Sequence, residues 1–138
     1  MGVIKQATIK NTRQLAEANK AAGTVTTLGE ILDLTAGLAV AATSSSTRAT
    51  ILGVCNETIA AADAKTRVSY IVPSDEDTFI FPTTNNSDAT HNGQDMILGA
   101  DSSTINNTGT TSAVGVVRQV EPYGAAADKL IIGKFITV

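Results

Sequence analysis

The sequence predicts a mainly β protein: a small single-domain β-barrel or sandwich, with one short N-terminal helix or arm. Three observations carry this. From Thr24 onward, short apolar runs are cut by Gly, Ser, Asn and Pro, the pattern of an all-β chain. Thr recurs in runs such as Thr24, Thr26, Thr27 and Thr108, Thr110, Thr111, and β-branched side chains suit pleated, half-buried surfaces. At 138 residues the chain fits one domain, since domains cluster near ~100 to 150 residues. No internal repeat with a period of ~20 to 50 residues is visible. Residues 1–23 therefore form an appendage and residues 24–138 the β-rich body.

The helix is expected over Lys10 to Ala22. Asn11 or Thr12 supplies a cap, Leu15, Ala16, Glu17 and Ala18 are good helix formers, and Gly23 stops it. Its apolar face is thin, so it is expected as a surface helix or as an arm that orders on contact. Strands are expected near Leu28 to Leu32, Leu38 to Ala42, Ala49 to Cys55, Arg67 to Val72, Thr78 to Phe81, Met96 to Leu98, Ala113 to Val120 and Lys129 to Thr137. Pro73 to Asp77 forms a polar turn between two β-prone runs, which predicts a hairpin of Val68 to Val72 with Thr78 to Phe81. A second hairpin joins Val114 to Val120 with Leu130 to Ile136. Thr83 to Gln94 and Ala100 to Ser112 are rich in Asn, Thr and Gly and read as loops, a place for a functional surface.

Charged residues make up only 17% of the chain, where about 25% is usual. Such a neutral surface offers little repulsion against association, which suits a protein packed against copies of itself or a partner. The net charge of −3 is unevenly spread. Residues 1–23 carry Lys5, Lys10, Arg13 and Lys20 against Glu17 alone, while the body is acidic. Val3, Ile4 and Ile9 can add a short strand to a neighbour while Lys5, Lys10, Arg13 and Lys20 meet an acidic surface, so these seven residues are the candidate partner contacts. The alternative is that the segment packs on its own body as a first strand and surface helix.

The body has no basic stripe for nucleic acid. Trp is absent and aromatics are 4% of residues, too few for a stacking platform. No run approaches the ~18 apolar residues of a membrane span, and no signal-like segment opens the sequence, so synthesis in the cytosol is expected. The glycosylation-type triplets at Asn56, Asn85 and Asn106 then have no secretory route.

Catalytic chemistry finds little to work with. His91 is the only histidine and Cys55 the only cysteine. Cys55 lies in the apolar run Ile51 to Cys55 and reads as a buried, inert thiol rather than half of a dyad. One His and one Cys do not make a zinc site. Calcium is the stronger thought, from Asp75-Glu76-Asp77 and from Asp88, Asn92 and Asp95, yet neither group has the spacing of a calcium loop, and Asp and Asn in turns usually bond their own backbone. Asp75 and Asp77 remain the candidate ligands. No enzymatic activity, cofactor or small-molecule substrate is expected.

Four segments resemble the head decoration, or cement, proteins of tailed bacteriophages: Ile51-Leu52-Gly53-Val54, Gly93-Gln94-Asp95-Met96-Ile97-Leu98, Val114-Gly115-Val116-Val117 and Leu130 to Phe135. The resemblance runs from Ala49 to the C-terminus and is one of style. It implies a compact barrel or tulip-like domain, often trimeric, on the outside of the virion, where it binds the major capsid protein and bridges coat subunits. Other virion parts (a tail tube subunit, a head fibre base, a head completion protein) share the composition. A carbohydrate-binding β-sandwich using the Asn-rich loops and calcium is the alternative from another class.

Overall fold

The computed structural model describes residues 2–5, 14–108 and 111–136. Their strands are β1 (Ile4–Lys5), β2 (Leu15–Asn19), β3 (Ile31–Thr35), β4 (Leu38–Ala41), β5 (Ile51–Cys55), β6 (Arg67–Ile71), β7 (Phe79–Pro82), β8 (Asp95–Met96), β9 (Val117–Pro122) and β10 (Leu130–Phe135). They form two five-stranded antiparallel sheets. Sheet I runs β1-β7-β10-β9-β8 and sheet II runs β2-β6-β5-β3-β4. The mainly β, single-domain expectation holds, and each of the eight predicted strands overlaps an observed one. Sheet II curls until its edge strands β2 and β4 come within 8 Å between Cα atoms. No ladder joins those two edges, so the sheet is strongly curved rather than a closed barrel.

Alternation along the strands gives sheet II two apolar faces. Ile31 and Val54 point one way, their neighbours Leu32 and Cys55 the other. Ile31, Val54 and Ile71 join Phe79, Phe81, Val117, Ile131 and Phe135 of sheet I in the main core. There the rings of Phe79, Phe81 and Phe135 lie 5.2 to 6.0 Å apart, with Phe135 set edge-on to the other two. Each such buried side chain contributes about 1.5 to 3 kcal/mol. Leu32, Ala39, Cys55, Val68 and the loop residue Ile59 form a second, smaller core on the other face.

One local expectation holds, and one hairpin goes beyond the expectations. The β9–β10 hairpin forms as predicted, with a bulge at Ile132/Gly133. β3 and β4 turn through Ala36 and Gly37 alone, both at positive φ (51° and 79°), the two-residue turn whose twist matches its strands.

Two others are corrected. Within the expected helix, residues 15–19 form β2, paired with β6 from Leu15↔Ile71 to Asn19↔Arg67. Arg67 donates to Glu17 Oε2 at 3.2 Å and to Asn19 Oδ1 at 2.8 Å, and Ala18 packs on the second core. Tertiary pairing outweighs a propensity preference of a few tenths of a kcal/mol per residue, roughly. The part of that helix at Lys10 to Arg13 lies outside the described residues. The predicted β6–β7 hairpin also does not form, because β6 belongs to sheet II and β7 to sheet I. The turn itself is present: Asp77 N–H donates to the Ser74 carbonyl at 3.1 Å, and Ser74 N–H donates to Asp77 Oδ2 at 3.0 Å. It is a corner between sheets, since Phe79 and Phe81 are drawn to the aromatic core.

Candidate functional site

Where they are described, the residues proposed for partner contact lie in β1 or directly beside β1 and β2. Val3 is buried in the main core, and its N–H donates to the Gly29 carbonyl at 2.8 Å. Ile4 and Lys5 are β1, opposite Ile80 and Phe79 of β7. Lys20 is only 2% exposed, and its ammonium donates to the Ala21 carbonyl at 3.0 Å. Ile9, Lys10 and Arg13 lie outside the described residues. The N-terminal segment thus contributes strands to the fold's own sheets.

The calcium candidates do not converge. Asp75 is exposed and Asp77 buried, its carboxylate closing the corner turn on Ser74. Asp88 accepts the N–H of Thr90 at 2.8 Å, a bond that holds its exposed carboxyl below the usual range. Asn92 Oδ1 accepts from Gln119. Asp95 is clasped by Arg118 (2.7 and 3.2 Å) and Arg48 (3.1 Å). The two bonds from Arg118 hold the Asp95 carboxyl low against the opposing effect of burial, and Arg48 adds to them. Among the described residues no three His, Cys, Asp or Glu side chains come together as a metal site.

Cys55 is buried, and its thiol donates to the Glu57 carbonyl. Burial pushes the thiol above its ordinary value, away from the thiolate that chemistry would need. His91 ends the short 3-10 turn Ala89–His91.

The two long polar loops are fastened to each other instead of hanging free, and sequence reasoning missed the rivet. Asn107 is 1% exposed. Its Oδ1 accepts from Asn85 N–H (2.9 Å) and Thr84 Oγ1 (3.3 Å), and its Nδ2 donates to the carbonyls of Asn85 and Asn86, both at 3.1 Å. Thr83 and Leu98 each bridge to Ile105 beside it. Gln119, also 1% exposed, ties the other half of the first loop to β9 through Asp88 O (2.8 Å) and Asn92 Oδ1 (2.9 Å). An Asn in an Asn-rich loop carries no signal that singles it out. Gln119 has one, a polar residue at a position of β9 where the alternation calls for an apolar one.

What remains for contact is shallow and of mixed polarity. A depression of about 270 Å³ is lined by Gly2, Thr27, Leu28, Pro82, Asp101 and Thr104 among others. Burial pushes the Asp101 carboxyl up, but bonds from Ser103 N–H and from Thr104 N–H and Oγ1 outweigh it and leave it low. A groove of about 250 Å³ runs past Arg48, Ile51, Leu52, Val72, Pro73 and Phe135. Leu28 at the rim of the first is 60% exposed and Val25 nearby in the chain 52%. Compared with models of protein families and with curated proteins, the chain matches none.

Proposed function

We propose that this chain is a structural protein of a virus particle, a decoration protein that binds the outside of a phage head as a homo-oligomer, a trimer, and bridges neighbouring coat subunits. One observation carries the reading. A surface with few charges displays Leu15, Val25, Leu28, Val114, Val120 and Tyr123 at 40 to 60% exposure. Exposed aliphatic side chains on a weakly charged surface favour burial against another protein surface. In the proposed role the chemistry is mechanical. Each bound copy adds contacts across a seam and, by binding the assembled shell in preference to separated subunits, shifts the equilibrium toward the shell. The partners are the major capsid protein and copies of this chain, and the location is the capsid surface.

Light scattering after size exclusion, followed by sedimentation with purified heads, tests this. The expected result is a symmetric oligomer, free or on the shell, that sediments in fixed stoichiometry with the coat protein. A strict monomer that stays in the supernatant overturns the proposal.

A further inference from the structure

Asn92-Gly93 is the only Asn-Gly pair in the sequence, and both residues are exposed. This dipeptide is chemically labile, because glycine offers no side chain to hinder attack of its own backbone nitrogen on the preceding Asn amide. Here both reacting groups are held. Asn92 (φ −58°, ψ 132°) and Gly93 (φ 83°) are the central residues of a type II turn, closed by Gln94 N–H to the His91 carbonyl at 3.0 Å. Gly93 N–H donates to the Gln119 carbonyl at 2.8 Å, and Gln119 N–H donates to the Gln94 carbonyl at 3.1 Å. That is a glycine-led β-bulge facing Gln119. The Gln119 side chain meanwhile donates from Nε2 to Asn92 Oδ1 at 2.9 Å.

We propose that Asn92-Gly93 is a guarded deamidation site, kept intact by Gln119 and converted when this turn opens. In the reaction, Gly93 N loses its proton and bonds to Asn92 Cγ, the Cγ–Nδ2 bond breaks and ammonia leaves. Water then opens the cyclic imide at either carbonyl, giving aspartate or isoaspartate. Ring closure requires Asn92 to rotate out of its type II ψ so that the Gly93 nitrogen reaches Cγ, and this breaks the Gly93–Gln119 and Gln94–His91 bonds together. The buried Gln119 amide fixes the Asn92 side chain from the other side. The product is a one-way chemical record of local opening. An isoaspartate also lengthens the backbone by one carbon in the turn just before the bulge, so the altered turn no longer matches β9.

Peptide mapping by mass spectrometry after incubation at mildly alkaline pH tests this on four samples: the native chain, the same chain in denaturant, Gln119→Met and Asn92→Ser. Conversion at residue 92 is expected to be slow in the native chain and fast in denaturant. It should be absent in Asn92→Ser and faster in folded Gln119→Met by about tenfold, the effect of losing one buried hydrogen bond. Equal rates in native and denatured chain overturn the proposal, as does an unchanged rate in a Gln119→Met variant that melts cooperatively. If that variant does not fold, the native-to-denatured comparison decides alone.

Discussion

Replacing Asn107 measures how strongly the two polar loops depend on one side chain. It makes four hydrogen bonds at 1% exposure, three of them to backbone groups of Asn85 and Asn86. A net hydrogen bond contributes about 1 kcal/mol, and each buried group left unpaired costs about 1 to 3 kcal/mol. Truncation to Ala opens the site partly to water, so Asn107→Ala is expected to cost about 3 kcal/mol, a large share of the roughly 7 to 20 kcal/mol available to a domain of this size. Asn107→Asp keeps the volume yet turns two donors into an oxygen facing two carbonyls, and buries a charge. It should cost more than Ala at neutral pH, about 4 kcal/mol. The introduced carboxyl is neutral more readily in the folded than in the unfolded state, so its folded pKa is raised. The penalty is then largest above that pKa and shrinks as pH falls and the carboxyl regains a proton to donate. Urea titrations at several pH values with shared m-values read all three quantities. An Ala variant losing under 1 kcal/mol, or an Asp variant as stable as the parent at neutral pH, refutes the assignment of Asn107 as the fastening.

Asp95→Asn should flatten the acid limb of the stability curve: a carboxyl held low contributes stability that is complete above about pH 5 and lost as pH falls below it, and thermal melts across that range read the difference. Gly53→Ala should lose about 3 kcal/mol or more, because φ is 152° and a Cβ there collides with the Ile71 carbonyl and sits 3.0 Å from Pro73 Cδ. Ala36→Gly should gain about 0.5 kcal/mol, visible as a raised Tm, since Ala36 holds the left-handed conformation without help from its side chain. Deletion of residues 1–23 should abolish cooperative melting, because it removes an edge strand from each sheet and the buried Val3.

Strand positions were legible because β-branched and apolar runs bounded by turn residues are local signals. The β9–β10 hairpin was legible for the same reason, with Tyr123 and Gly124 just past the paired Pro122. The burial of Cys55 followed from its apolar run. Partner choice was not legible. Pro73 to Asp77 makes the same turn whether the chain doubles back or crosses to another sheet, and three phenylalanines from β7 and β10 decide between these at long range. The stretch Leu15 to Asn19 failed differently: its Ala and Glu content favours a helix in isolation, and only the ladder offered by β6 makes it a strand. The polar rivets were hidden as well, because Asn107 and Asn106 look alike until the fold buries one of them.

The charge asymmetry of residues 1–23 shows how far composition leads and where geometry takes over. Four basic side chains against one acid suggest a detached cationic arm. Yet Lys20 is enclosed, its ammonium on a backbone carbonyl, and Lys5 belongs to a strand paired with β7. The segment pairs with sheet I through residues 4–5 and with sheet II through residues 15–19, so it straps the two sheets together. A strap cannot leave for a neighbour without weakening its own domain, whereas Leu28 and Val25 are already exposed and can be covered without any rearrangement. Contact through those side chains involves no unfolding cost, and contact through a released N-terminus does. For the proposed oligomer, rigid docking through exposed side chains such as Val25 and Leu28 is therefore the cheaper route than strand exchange.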